Sequence, residues 1–298
     1  MRKHPVVYGM LILLVLGISF YVFFYKAGSH SGKNKGFSLH DKIGVVCVDG
    51  AIMDSLEITE QLDEFANDDS IIAVILRVDS PGGGVAASQE IYDAVIELKK
   101  TKKVVASMGS IAASGGLLVA CAADKIVANP GTITGSISAI MQFANFEELL
   151  KKVGVKSSVV KSGQYKDIGS PLRDMTPEEK VIVQDLVDDI YNQFIDVIVK
   201  ERKLPREKVV EIADGRVFSG RRAKELGLVD SLGDMTSAAK LASQLAGGKG
   251  KYDLVYPSKK RTSVFDYLLE GAATHISNSL KEKMESKSGL SYLYYPAR

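Results

Sequence analysis

Residues 70–100 read SIIAVILRVDSPGGGVAASQEIYDAVIELKK, and the class of the fold turns on them. The first ten form an apolar run rich in β-branched side chains, the pattern of a strand buried on both faces of a sheet. The last fifteen repeat apolar residues at helical spacing. Between them, residues 79–85 (DSPGGGV) place three glycines where a strand must turn into a helix. Strand, glycine turn and helix in succession are the repeating unit of an α/β fold built on parallel sheets.

The same alternation continues on both sides. Upstream, KIGVVCVDGAI reads as a buried strand, and SLEITEQLDEFAND has helical spacing at Leu56, Ile58, Leu62 and Phe65. Downstream, KVVASMG reads as a strand and GGLLVACAAD as an apolar helix. DKIVANP and SISAIM read as short strands, NFEELLKKVG as a helix and VKSSVVKSG as a strand. Residues 176–202 open with TPEE, which supplies an N-cap, a proline at the first helical position and early acids, so a long helix is predicted. Glycines are expected to end strands at Gly50, Gly82, Gly83, Gly84, Gly109 and Gly163, on the side where α/β proteins place their sites.

The 298 residues carry 38 basic and 36 acidic side chains, a formal net charge of +2. That balance lacks the concentrated basic face of a nucleic-acid-binding protein, so no nucleic-acid partner is predicted. Cys47 and Cys121 sit in apolar runs and read as buried free thiols; neither has a neighbour at zinc-ligand spacing. Residues 5–25 hold no charge and are long enough, at about 1.5 Å per residue, to span a bilayer. They read as an uncleaved membrane anchor behind a short cytoplasmic tail (1–4), followed by a polar linker (26–41). The main domain is expected over 42–247, exported beyond the membrane. The extension 248–298, with nine Lys/Arg against five Asp/Glu, carries an apolar helical stripe from Phe265 to Met284. It reads as a helix packed on the domain or a neighbour, or lying on the membrane surface.

The four histidines are His4, His30, His40 and His275, and none lies within 42–247. A serine nucleophile in this domain therefore needs another base, and an uncharged lysine is the remaining choice. A free lysine has a pKa of about 10.4, and bringing one to about 7 costs roughly 4–5 kcal/mol, which burial can supply. Such a lysine must sit away from carboxylates.

Three stretches could meet that chemistry. In MGSIAASGG (108–116), Ser114 is expected to follow a small-residue loop and to precede an apolar helix, although taken alone the stretch reads first as tight packing of a helix start. In DSPGGGV, backbone N–H groups could stabilise an oxyanion. Neither GxxxxGK[ST] nor GxGxxG is present, which argues against a nucleotide. KSGQYKDIGSP offers Lys161 and Lys166, with Asp167 beside the latter. A lone lysine is usually a solvated surface group.

Taken together and in order, SPGGG, MGSIAASGG, ADKIVANPGTITGSIS, SGQYKDIGSPLRDMTPEE and DGRVFSGRRAKELGLVDSLGD resemble the SppA-type signal peptide peptidases in their short, single-module form. The resemblance covers about residues 42–245 and implies a Clp/crotonase-like fold, an α/β architecture of parallel-sheet ββα units with flanking helices. It implies Ser114 as nucleophile, Lys166 as general base, Ser136 as the residue that orients the lysine, and the N–H groups of Gly83 and Gly115 as oxyanion donors. It implies no metal, nucleotide or other cofactor. The implied substrates are peptides, namely signal peptides already cut from precursors. The implied partners are membrane lipid, through residues 5–25, and further copies of the chain in a ring or dome whose neighbouring subunits complete each active site. The implied location is the bacterial cytoplasmic membrane, with the catalytic domain outside the cytoplasm. GSISA and GGLLVA depart from the family's commoner GSIGV and post-glycine aromatic, which bears on the groove wall before the dyad. The alternatives are a Clp-like membrane protease with a dedicated membrane-protein substrate, and a non-proteolytic crotonase-type enzyme or scaffold.

Overall fold

The computed structural model describes residues 40–257 and 291–293, together with Leu14, Leu16, Gly17 and Ser19. The chain divides into a unit of residues 1–39 and a unit of residues 40–298. In the first, those four described residues are helical, and the rest of the expected anchor at 5–25 lies outside the described residues. No helix among the described residues is long and apolar enough to cross a membrane. The predicted stripe from Phe265 to Met284 also lies outside them.

The second unit begins with β1 (Asp41–Asp49), α1 (Leu56–Ala66), β2 (Ile71–Ser80), β3 (Gly82–Gly84), α2 (Val85–Leu98), β4 (Lys103–Ala113) and α3 (Gly115–Cys121). It continues through β5 (Lys125–Ala128), β6 (Ile133–Gly135), α4 (Glu147–Lys152), α5 (Pro177–Arg202), α6 (Arg206–Ile212) and β7 (Val217–Ser219). The last elements are α7 (Gly220–Glu225), β8 (Ser231–Leu232), α8 (Met235–Leu245), β9 (Tyr252–Val255) and β10 (Ser291–Leu293). The main sheet runs β7-β6-β4-β2-β1-β9, with β5 paired to β4 and β8 to β5. Its pairings are parallel except β6 with β7.

The apolar run that decides the class forms β2, between β1 and β4. Alternate residues serve opposite faces. Val74, Leu76 and Val78 join one core with Leu62 of α1, Ile91 and Val95 of α2, and Leu117 and Leu118 of α3. Ala73 and Ile75 join the other with Ala238, Ala239 and Ala242 of α8. Both faces are covered, so the strand has no reason to alternate polar and apolar residues. Burying each such side chain contributes about 1.5–3 kcal/mol.

Several expectations are revised. MGSIAASGG is no small-residue loop: β4 continues to Ala113, and Ser114 is the first residue beyond it. The extra length lets β4 pair with β5 through Val105 to Met108 and with β6 through Ile111 to Ala113. The strand expected at SISAIM lies just upstream, as β6. β6 ends at Gly135 (φ 87°), and Ser136 (φ 51°) beyond it is also at positive φ, so the extended strand does not continue into SISAIM. VKSSVVKSG (155–163) is not a strand, and Gly163 ends none. Its Val155, Val159 and Val160 are exposed, and no described strand lies beside it to satisfy its backbone. At the other end, β9 pairs with β1 and carries the sheet past residue 247.

The long helix forms as predicted. Thr176 and Glu179 make a reciprocal capping box on α5, with Pro177 at its first position, an arrangement that stabilises a helix start by about 1 kcal/mol. Cys47 and Cys121 are free thiols, the second fully buried. Burial pushes the Cys121 thiol up to about 12, which makes it unreactive.

Candidate active site

Where β4 ends, the backbone reverses at Ser114, whose φ of 54° and ψ of −122° suit glycine far better than serine. Three non-glycine residues among those described have φ in this left-handed range: Ser114, Ser136 and Lys203. Lys203 is the C-cap of α5, where left-handed backbone is common. The other two are candidate site residues named from the sequence. Each such conformation costs about 1–3 kcal/mol and persists where surrounding structure enforces it.

The enforcing contacts are specific. The Ser114 N–H donates to the Gly135 carbonyl at 2.8 Å, and the Ser114 carbonyl accepts from the Leu118 N–H at 3.0 Å. The Ser136 N–H donates to the Arg216 carbonyl at 2.8 Å. Thr132 and Thr134 donate through their hydroxyls to the carbonyls of Gly109 (2.7 Å) and Ala112 (2.6 Å), pinning the β6 segment beside β4. Ser114 is thus tied to the residue immediately before Ser136. Both are buried, at 1% and 8% exposure.

β3 lies against the same place. Gly82 accepts from the Ile52 N–H at 3.0 Å, and the Gly84 N–H donates to the Ile52 carbonyl at 2.7 Å. In an extended strand the backbone groups of the intervening residue point the other way, so those of Gly83 face away from Ile52. On that edge lies β10, antiparallel, with Tyr292 opposite Gly83. A β-carbon on Gly115 would lie 3.3 Å from the Gly83 nitrogen and would overlap the Ser88 hydroxyl. The two glycines named as oxyanion donors are therefore neighbours in space, and Gly115 directly follows Ser114.

Sequence reasoning missed the supports of this geometry. The Ser80 hydroxyl accepts from the Gly82 N–H at 3.1 Å, and the Ser88 hydroxyl donates to the Gly84 carbonyl at 2.8 Å. Asp79 accepts from the Ile111 N–H at 3.1 Å, and a β-carbon on Gly109 would sit 2.6 Å from its carboxyl carbon. Ser80 and Asp79 flank a glycine turn, a signal that could have been used. Ser88 is an ordinary helical serine, and nothing in the sequence marks it.

Lys166 stands apart. It occupies an exposed turn whose backbone is closed by its own N–H donating to Gly163 at 3.2 Å, and its amine has no hydrogen bond or ion pair among the described residues. Asp167 faces elsewhere: its carboxylate accepts from Arg173 and from Lys161. A cavity of about 440 Å³ adjoins this region, lined in part by Phe143, Gly169, Arg173, Met175 and Val183, and it includes neither Ser114 nor Lys166. The structure brings together Ser114, Ser136, Gly83 and Gly115, and no hydrogen bond or ion pair among the described residues joins Lys166 to them.

The family model for peptidase family S49 matches residues 96–249, and that for Clp protease matches residues 36–133. The mostly parallel sheet is consistent with a Clp-like fold. A candidate protease of Synechocystis sp. is 53% identical over 175 residues, which cover 59% of this chain and 63% of that one. Protease 4 of Salmonella typhi is 35% identical over 254 residues, 82% of this chain and 41% of the relative. The chloroplastic serine protease SPPA of Arabidopsis thaliana is 33% identical over 236 residues, 78% of this chain and 35% of the relative. The chain thus spans less than two thirds of the length of each.

Proposed function

The chain belongs to peptidase family S49, and from that premise we propose that it is a serine endopeptidase with Ser114 as nucleophile and Lys166 as base. The observation that carries the reading is the Gly82–Gly84 edge. It bears an antiparallel strand of chain, its central glycine adjoins Gly115, and Ser114 follows β4 alongside. Adding a strand to an edge is how extended peptides are bound for main-chain recognition.

The reaction is acyl transfer. The neutral amine of Lys166 takes the Ser114 hydroxyl proton as Oγ bonds to the peptide carbonyl carbon. The N–H groups of Gly83 and Gly115 hold the oxyanion, each such donor contributing about 3–4 kcal/mol in the transition state. The C–N bond then breaks and the leaving amine takes the proton from the lysine. Water, giving a proton to the same amine, releases the acid and restores Ser114. Ser136 orients the lysine. No cofactor takes part.

Lys166 lies on an exposed turn in the single chain, close in sequence to exposed Val155, Val159 and Val160. That placement supports a homo-oligomer, a ring or dome, in which one subunit presents Lys166 to the Ser114 of its neighbour. Residues 5–25 anchor the chain in the cytoplasmic membrane, with the domain on the extracytoplasmic side. The substrates are remnant signal peptides, whose extended backbone suits the glycine edge.

The test is mass spectrometry of signal-sequence peptides incubated with the full chain in detergent, beside Ser114→Ala and Lys166→Arg. Both variants are expected to leave the peptides whole, since guanidinium cannot act as a base near neutral pH. Cleavage by either variant, or a fluorophosphonate label landing on a residue other than Ser114, overturns the assignment.

A further inference from the structure

A lysine that must shed its proton is poorly served by a carboxylate next to it in sequence, because an opposite charge within about 4–6 Å favours the charged form by one to three pH units. Asp167 is such a neighbour to Lys166. Its carboxylate is nevertheless engaged by two other cations, Arg173 and Lys161. Arg173 Nε donates to Oδ2 and an Arg173 terminal nitrogen to Oδ1, each at 2.9 Å. Lys161 donates to Oδ1 at 2.5 Å and also to the Gln164 carbonyl at 2.8 Å. The same guanidinium reaches Glu179, at 2.8 and 2.5 Å. Glu179 is buried at the start of α5 and accepts the Thr176 N–H at 2.9 Å. Arg173 therefore holds two carboxylates at once, one on the lysine turn and one on a capped helix.

The electrostatics agree with this geometry. Arg173, with Lys161 behind it, holds the Asp167 carboxyl far below the usual range, and Arg173 with the Thr176 N–H brings Glu179 down to about 2. The charged groups packed on the turn are Lys161, Arg173 and Glu179. Asp174, which accepts from Asn145, and Lys180 line the cavity beside the guanidinium. The turn is seated against Phe143, whose ring a β-carbon on Gly169 would overlap.

We propose that Arg173 is a positioning residue: by chelating Asp167 and Glu179 together it turns the Asp167 carboxylate away from the Lys166 amine and fixes the base-bearing turn to the start of α5. The inference rests on the reading of Lys166 as the base. In this role Arg173 acts through Asp167. The pattern K-x5-D-x5-R-x5-E at 161, 167, 173 and 179 is the linear trace of this network. Arginine suits it because only a planar fork serves two carboxylates bidentately.

The experiment is the pH profile of kcat/KM for a fluorogenic peptide, measured on the full chain. In Arg173→Met, Asp167 Oδ2 is released toward the amine. The acid limb is expected to move to higher pH by about one unit, which lowers kcat/KM about tenfold on that limb. Adding Asp167→Asn to Arg173→Met should return the limb to its original place. A structural role alone would lower melting temperature and total activity without moving the limb. An unmoved limb in Arg173→Met, or no return in the double variant, overturns the proposal. Should Arg173→Met not fold, Asp167→Asn alone decides: the limb stays where it is if Arg173 already neutralises Asp167, and a fall of a unit or more overturns the proposal. Lys166→Arg is run in parallel; turnover there would instead sink the lysine-base reading itself.

Discussion

A β-carbon placed on Gly115 would stand 3.3 Å from the amide nitrogen of Gly83 and inside the hydroxyl of Ser88. The two backbones meet there because Gly115 has no side chain; a β-carbon on Gly83 would instead strike the backbone of Ile52. Gly115→Ala should therefore force β3 and the start of α3 apart and, on the peptidase reading, reduce kcat about 100-fold, the scale of a displaced oxyanion donor. Ser88→Ala added to it should recover part of the loss. Gly84→Ala is the control: its φ is −59° and its β-carbon meets nothing nearer than 3.6 Å. Steady-state kinetics on the three variants decide the matter, and a Gly84→Ala as damaged as Gly115→Ala would contradict it.

Ser114 carries its hydroxyl on a backbone that glycine would adopt without strain. Ser114→Ala and Ser114→Gly should both be inactive, yet they should differ in stability. Alanine keeps the β-carbon at φ 54°, whereas glycine removes the penalty at some cost in unfolded-state entropy. The glycine variant should be the more stable by about 1 kcal/mol, read as the difference in denaturation midpoint.

Glu179 titrates in the native protein at about 2, lowered by Arg173 and then by the Thr176 N–H. Its unfolded value is about 4.3. A depressed folded pKa means that its contribution is complete above the unfolded value and is lost as pH falls from there through about 2. Glu179→Gln should therefore melt below the parent at neutral pH and approach it as pH falls from 5 to 2. A constant gap in thermal midpoint over that interval would show that the ionised carboxylate is not what stabilises the helix start.

The edge of β3 already carries Ser291–Leu293. A peptide entering along Gly82–Gly84 must displace that strand. On the peptidase reading, a chain ending at residue 290 should show a lower KM for an exogenous peptide with kcat unchanged. Equal KM values for the long and short chains would mean that peptides do not bind on this edge.

Much of the fold was legible because its signals are local. The apolar run of β2, the helical spacing of α1 and α2, and the TPEE start of α5 each specify their element within about one turn of chain. Where the sequence misled, the deciding partner was distant. The residues SIAA looked like a small-residue loop until β6 and β2 came to flank them as part of β4. VKSSVVKSG has strand composition but no strand beside it among the described residues. β9 was hidden in a basic, glycine-rich stretch because a short edge strand needs little hydrophobic pattern once β1 offers its backbone.

The site divides in the same way. The lack of histidine between 42 and 247 pointed to lysine chemistry, and the order of five motifs, through its resemblance to a peptidase family, singled out Ser114, Ser136, Lys166, Gly83 and Gly115. Only the folded chain decided that Gly83 lies against Gly115, that Ser114 and Ser136 share an enforced left-handed backbone, and that Asp167 faces Arg173 rather than Lys166. Those facts depend on which groups meet in space across 30 residues of chain or on which way one carboxylate turns. Such contacts are set by packing and pairing energies summed over the whole domain, and no short stretch of sequence contains them.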